Sequence, residues 1–227
     1  MTTTDRLIAE VLAAAAEPIV GRVRLQKIFY LLEQRGLGSG LRFHYHHYGP
    51  YSRELDGALD RAQAVQGVEE KIAYRQVDGM PYSIFSLREK AIAGHPSAVG
   101  GLAANEAHSL IGATTAKSST VLELAATIHW LKNVEKVSDW KKELVRRKGA
   151  KTEKGRMEEA IGLLEKLGLS SANLPRLINP VWKRAAPPGA APLPYPPPQP
   201  SPRKRGGSFG TISCASETVA PCAASLG

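Results

Sequence analysis

The stretch that decides the fold is GRVRLQKIFYLLEQRG, residues 21–36, followed by LRFHYHHYGPYS, residues 41–52. In the first part, apolar residues recur at Leu25, Ile28, Phe29 and Leu32, a spacing that predicts a helix with one apolar stripe, ending near Gly36. In the second part, side chains alternate from Phe43 to Tyr48 as they do on a strand. Gly49-Pro50 is predicted to break this strand, and Ser52 to begin the next helix as its N-cap.

These residues resemble a known family. LQKIFYLLE, an aromatic strand and YGPYSREL are similar to the YwgA-like prokaryotic proteins and, more distantly, to the Panacea (SocA-type antitoxin) domain. A second block, STVLELAATIHWLK, is similar to the ELAAT helix of the YwgA-like group, so the resemblance covers roughly residues 5–170. It implies a module that binds a protein partner, such as a toxin, and it implies no reaction.

The remaining sequence predicts an α+β, mostly helical domain over residues 1–183. Its first half, 1–90, has a winged-helix-like order with a small antiparallel sheet, in which two strands near 70–76 and 82–87 flank an Asp-Gly turn. Its second half, 97–170, is predicted to be helical, with segments at 98–110, 118–132, 137–148 and 153–167. The helix from 118 is apolar over most of its circumference, which indicates packing on two sides.

Residues 184–227 form a tail that differs in composition, because ten of the 16 prolines fall between Pro187 and Pro221. The tail has too few large apolar residues to bury a core and is predicted to be disordered. Two explanations of the tail remain open. It is either read-through of a repetitive intergenic element or a polyproline linker that recruits a partner. Both cysteines, Cys214 and Cys222, lie in the tail, so neither a disulfide frame nor a cysteine zinc site is expected in the domain.

The sequence contains no run of about 18 apolar residues and no basic segment before an early apolar stretch. A cytoplasmic location is therefore expected. The motifs GxxxxGK[ST] and GxSxG are absent, as is GxGxxG after a strand, so the expectation is a non-enzymatic protein without a cofactor.

Candidate partner-binding residues lie on the motif helix and at the strand with its YGP turn. They are Gln26, Lys27, Tyr30, His46, Tyr48, Gly49, Pro50 and Tyr51. Tyrosines at a rigid corner present a large area and lose little rotamer freedom on binding. Alternatively, Tyr48 and Tyr51 only cover the motif helix by packing on Phe29 and Tyr30.

Two other functions are considered: a winged-helix-like DNA-binding transcriptional regulator, in which the helix before the hairpin enters a DNA groove, and a metal-dependent hydrolase. Ten Lys and Arg residues against four acidic ones lie between Lys132 and Arg156. Within this segment, Lys141, Lys142, Arg146 and Arg147 are predicted to form either a nucleic-acid-binding ridge or a solvated helix face.

Arg22, Arg24, Gln26 and Lys27 are candidates for reading base edges. Alternatively, they form a solvated helix end, or Gln26 and Lys27 contact Glu33 or the YGP turn. His44 and His46 share a strand face and could bind a metal in a hydrolase, but no third ligand is evident, so no metal site is predicted.

Overall fold

The computed structural model describes residues 3–88 and 98–170. The N-terminal half comprises α1 (Thr3–Ala14), β1 (Ile19–Val20), α2 (Arg22–Glu33), β2 (His44–His46), β3 (Gly49–Tyr51), α3 (Arg53–Val65), β4 (Val68–Tyr74) and β5 (Pro81–Leu87). The C-terminal half comprises β6 (Ala98–Val99), β7 (Leu102–Ala103), α4 (Ala104–Thr115), α5 (Ser119–His129), α6 (Trp140–Lys148) and α7 (Arg156–Lys166). A π-helical turn, Trp130–Val134, extends α5, and a 3-10 turn, Gly149–Thr152, follows α6.

The predicted fold class is confirmed: the described part is mostly helical, with small antiparallel sheets. β4 and β5 form the expected hairpin around the Asp-Gly turn. A third strand, β1, pairs with β5 through Ile19 opposite Phe85, giving the strand order β1-β5-β4. β1 was not predicted, because two residues are too few to show an alternating pattern.

Helix α2 lies in the middle of the molecule and contacts α4, α5, β1 and β3. The predicted apolar stripe is buried, with Phe29 and Ile28 fully inaccessible to solvent. The stripe is nevertheless wider than predicted, because Gln26, Lys27 and Tyr30 are buried as well. α2 is therefore enclosed on nearly all sides.

Helix α5 is the centre of the C-terminal half, as the apolar circumference predicted. Every residue from Val121 to His129 is buried, and the helix contacts α2, α6 and α7. Its start is capped by Ser118, whose hydroxyl accepts a hydrogen bond from the Val121 backbone N–H. Because α2 and α5 pack on each other, they join the two halves into one core.

Some predicted boundaries and caps are wrong. Gly49 and Pro50 do not end the sheet but form β3, and the chain reverses at His47–Tyr48. The helix expected from residue 98 begins at Ala104, because β6 and β7 first form a small hairpin whose Gly100 and Gly101 sit against the end of α2. A Cβ atom at Gly100 would lie only 2.1 Å from the Leu37 carbonyl oxygen, so a side chain has no room there. Ser52 precedes α3 but makes no side-chain capping bond.

The disordered tail predicted for residues 184–227 lies outside the described residues. Among the described residues, no helix is long and apolar enough to span a membrane.

Candidate partner-binding surface

The YGP motif folds into a tight hairpin of β2 and β3. His44 lies opposite Tyr51, Tyr45 opposite Pro50 and His46 opposite Gly49. Three-residue strands contribute too few ladder bonds to be stable alone. The position of this hairpin must therefore be set by what lies behind it.

Gln26 on α2 fixes the outgoing end of the hairpin. Its side-chain amide donates to the Ser52 carbonyl oxygen at 2.8 Å, and its amide oxygen accepts from the Ser52 backbone N–H at 2.9 Å. The same amide nitrogen also donates to Asp56 at 3.0 Å. The buried Gln26 side chain therefore makes the two hydrogen bonds to Ser52 that a neighbouring strand would make. It satisfies backbone N–H and C=O groups that would otherwise lack partners.

Lys27 on α2 fixes the middle of the hairpin. Its ammonium group donates to the Pro50 carbonyl oxygen at 2.5 Å, and the side chain is 1% exposed. Burial lowers the pKa of Lys27 to about 7, against the attraction of Glu123. At neutral pH this amine is therefore partly uncharged.

A buried carboxylate, Glu123 on α5, ties the turn of the hairpin to α6. Lys148 donates to Glu123 at 2.8 Å and also to the His47 carbonyl oxygen at 2.8 Å. Lys151 donates to both oxygens of Glu123, at 3.1 and 2.9 Å. Burial alone would raise the pKa of Glu123, but the hydrogen bonds from Lys148 and Lys151 outweigh it and hold the pKa below its usual range.

Gly49 lets the hairpin approach α5 closely. Its φ is +83°, and a Cβ atom there would lie 2.8 Å from the Thr127 hydroxyl oxygen. A side chain at this position would therefore be strained by its backbone conformation and would also collide with α5.

Tyr30 and His129 form a buried pair beneath the hairpin. The Tyr30 hydroxyl lies 2.8 Å from His129 Nδ1, while His129 Nε2 is buried without a hydrogen-bond partner in the described part of the chain. Burial lowers the pKa of His129 to about 4, with a smaller contribution from Lys132, so the ring is neutral. Protonation would give His129 a second N–H in a buried place where one ring nitrogen, Nε2, already has no hydrogen-bond partner among the described residues.

The His129 ring predicts a pH-dependent stability. Its pKa is about 4 in the folded chain and near 6.5 when exposed, so the unfolded chain binds more protons between these values. Stability is therefore expected to be highest above about pH 6.5 and to fall as the pH approaches 4, by roughly 3 kcal/mol from this ring. Urea unfolding across this range measures it. A His129→Asn variant is the control, and an equally steep pH dependence in that variant would contradict the assignment.

The hairpin carries exposed or half-buried aromatic and imidazole rings, which we call the hairpin surface: His44, His46, His47, Tyr48 and Tyr51. Tyr48 is 41% exposed, its ring centroid lies 4.9 Å from that of His47, and the Lys151 ammonium lies 5.0 Å from it. Tyr51 donates to Asp56 at 2.5 Å, and its ring lies 5.6 Å from His46.

Five of the eight predicted partner-binding residues are buried: Gln26, Lys27, Tyr30, Gly49 and Pro50. Gln26 and Lys27 hold the hairpin from behind through hydrogen bonds, and Gly49 and Pro50 are part of the hairpin itself. Of the other three, Tyr48 is exposed, and His46 and Tyr51 are half-buried. The alternative was that Tyr48 and Tyr51 cover α2; Tyr48 is 41% exposed, and it is Phe43 that packs on Tyr30, with ring centroids 5.3 Å apart.

The C-terminal half of this site was not predicted from the sequence. The hairpin is contacted by Thr127, Lys148 and Lys151, which lie more than 70 residues away along the chain. Glu123 holds Lys148 and Lys151 in place. One signal was available: Glu123 is the only acidic residue in the apolar helix STVLELAATIH, and a lone carboxylate there indicates a buried ion pair.

The structure does not assemble a metal site around His44 and His46. Within residues 3–88 and 98–170, no group of three or more His, Cys, Asp or Glu side chains is placed to hold a metal ion. The two histidines share a face, as expected, but the carboxylates that follow them in the sequence, Glu54 and Asp56, are engaged elsewhere. Glu54 pairs with Arg42, and Asp56 accepts from Gln26 and Tyr51.

The predicted basic ridge is partly neutralised. Arg146 and Arg147 both donate to Glu143, lowering the pKa of that carboxyl to about 2, and Arg147 also pairs with Glu135. Lys141 and Lys142 of the ridge are exposed, and the Lys141 ammonium lies 5.7 Å from the Trp140 ring centroid. Half of the ridge is therefore occupied by internal ion pairs.

The proposed base-reading cluster is engaged within the chain. Arg22 is exposed but pairs with Glu70 at 2.7 Å, and Arg24 donates to the Lys117 carbonyl oxygen. Gln26 and Lys27 are buried beneath the hairpin. Helix α3, which precedes the β4–β5 hairpin, carries three acidic and two basic residues, a composition poorly suited to a DNA groove.

Comparison with known proteins gives one partial similarity. No family model matches the sequence. The chain is 31% identical over 132 residues to a protein named DNA ADP-ribosyl glycohydrolase from Thermus aquaticus (strain ATCC BAA-2747 / Y51MC23), a match that covers 56% of this chain. The matched segment spans only 34% of the length of that relative.

Proposed function

We propose that the chain is a non-enzymatic, antitoxin-like binding module that docks a protein partner on the hairpin surface. What carries the proposal is the contrast between the two sides of the β2–β3 hairpin. One side is held by buried groups from α2, α5 and α6, and the other presents His47 and Tyr48 to solvent. The similarity of LQKIFYLLE and YGPYS to the YwgA-like and Panacea proteins supports the same role.

Pre-organisation is the physical reason for this choice. A surface that is ordered before binding loses little conformational entropy when a partner docks, so more of its contact energy appears as affinity. Tyr48 contributes a large ring with few rotatable bonds, and the Lys151 ammonium above that ring restricts it further. The buried ion pairs behind the hairpin would therefore increase affinity for the partner as well as stabilise the fold.

Replacing Tyr48 with serine is expected to abolish co-purification of the partner while leaving the thermal midpoint nearly unchanged, because this ring is exposed. The measurement compares proteins recovered with wild-type and variant chains, including the product of the adjacent gene when it is co-expressed. Tyr82→Ser, at a half-buried tyrosine of β5, is the matched control and should retain the partner. A partner that persists in Tyr48→Ser at wild-type yield would contradict the proposal.

The antitoxin-like part of the role has its own readout. Co-expression of the wild-type chain should restore growth to cells that produce a toxic partner, and the Tyr48→Ser chain should not. Release of ADP-ribose from ADP-ribosylated DNA by the purified chain would contradict the non-enzymatic part. This substrate is chosen because of the name of the Thermus aquaticus relative.

DNA binding is the second candidate, favoured by the basic residues between Lys132 and Arg156 and by that relative's name. It would rest on Lys141 and Lys142, since Arg146 and Arg147 are engaged with Glu143. Salt-sensitive retention on duplex DNA that is lost in Lys141→Glu/Lys142→Glu would establish this role in place of the first.

A further inference from the structure

Strand β4 is an edge strand of the three-stranded sheet. On its outer side it pairs with no strand in the described part of the chain. Such an edge offers backbone N–H and C=O groups to any extended chain that can align with it. Within residues 3–88 and 98–170, the exposed large apolar side chains also concentrate at this end of the sheet. Ile72 is 54% exposed, Tyr74 68%, Val77 98% and Met80 55%.

Ile72 and Tyr74 continue the core face of the sheet beyond the body of the protein. The register places Val68 opposite Leu87, Glu70 opposite Phe85, Ile72 opposite Ser83 and Tyr74 opposite Pro81, all on one face. Val68 and Phe85 at the base of this face are buried, whereas Ile72 and Tyr74 are open to solvent. The distal part of an apolar sheet face is therefore left uncovered.

We propose that this edge pairs with the β4 edge of a second copy of the chain, forming a continuous antiparallel sheet across a two-fold axis at Ile72. This inference is independent of the function proposed above. Across such an axis, directly opposed residues lie on the same face of the sheet, so one residue must lie opposite its own copy. The choice of that residue fixes every other pair.

The charges of VEEKIAY select the register. An axis at Glu69, Glu70 or Lys71 would oppose two like charges, and an axis at Ala73 would oppose Lys71 to Arg75. An axis at Val68 would overlap the two strands by one residue only, and an axis at Tyr74 would pair only residues 73–75 of the two copies.

An axis at Ile72 opposes Ile72 to its own copy, Lys71 to Ala73, Glu70 to Tyr74 and Glu69 to Arg75. It is the one register that pairs residues 70–74 of both copies without a like-charge pair. It also brings the two exposed copies of Ile72 together and places Glu69 opposite Arg75 of the other copy.

The test is the mass of the full chain in solution, measured by sedimentation across micromolar concentrations. The wild type is expected to form a dimer, and Ile72→Lys to weaken self-association by about tenfold or more, since two ammonium groups then face each other. Val77→Lys is the matched control, because Val77 lies in the turn beyond the strand and should leave the dimer intact. A wild type that stays monomeric throughout, or a dimer indifferent to Ile72→Lys, would overturn the proposal.

A cross-linking experiment identifies the register. In a Cys214→Ser/Cys222→Ser background, Ile72→Cys should form an intermolecular disulfide on mild oxidation, because residues opposed across an antiparallel pair have Cα atoms about 4.5–5.5 Å apart. Val77→Cys should not. Cross-linking of Ile72→Cys no greater than that of Val77→Cys would exclude this register, and both variants remain interpretable because both positions are exposed.

Discussion

Replacing Glu123 with glutamine is expected to lower the free energy of unfolding by about 3–5 kcal/mol, the usual cost of removing one partner from a buried ion pair. The Glu123 side chain is 5% exposed and that of Lys148 3% exposed, so the ammonium groups cannot recover full hydration once the carboxylate is neutral. Lys151 also donates to Glu123, and its charge would then repel that of Lys148 without compensation. Urea unfolding at neutral pH measures the loss.

The matched control is Glu159→Gln, which removes the carboxylate of a surface pair with Lys117 whose glutamate side chain is 45% exposed. This pair should contribute about 0–1 kcal/mol. Equal destabilisation by the two variants would show that Glu123 is not a buried anchor. A Glu123→Gln/Lys148→Met double variant should lose less than the sum of the single variants, because the two side chains are directly coupled.

Phe29→Ala is expected to destabilise the protein by about 3–5 kcal/mol, which is typical of removing a buried aromatic ring. Phe29 is 0% exposed on a helix that packs against both halves of the protein, so the surrounding elements cannot easily collapse into the cavity. Val134→Ala, at a residue that is 42% exposed, is the control and should change stability by less than about 0.5 kcal/mol. A Phe29→Ala variant with the wild-type urea midpoint would contradict the burial of this face.

The sequence was informative wherever a single element carried its own periodic signal. The stripe through Leu25, Ile28 and Phe29 predicted the inner face of α2, and the apolar circumference of the helix from Ser118 predicted a central α5. The Asp-Gly turn predicted the β4–β5 hairpin. These signals come from residues close together in sequence, which local periodicity can detect.

The burial of polar residues whose partners lie far along the chain was not predicted. Gln26 and Lys27 have side chains that ordinarily face solvent. Their hydrogen bonds to Ser52 and Pro50 offset the free-energy cost of burying them. Those partners lie more than 20 residues away, so no local pattern identifies them. The C-terminal lysines and Glu123 are further still, and a pattern of residue types cannot tell a buried salt bridge from a solvated helix face.

The bond from Lys148 to the His47 carbonyl oxygen spans 101 residues of chain. Closing so large a loop is slow compared with forming neighbouring helices or the β4–β5 hairpin, so the anchoring of the YGP turn is expected among the last events of folding. Pulse-labelled hydrogen exchange would show it as late protection of the backbone amides of His47, Tyr48, Gly49 and Tyr51. A nascent or truncated chain that lacks α6 would display the motif without these contacts, so the partner binding proposed above would require synthesis to have passed Lys151.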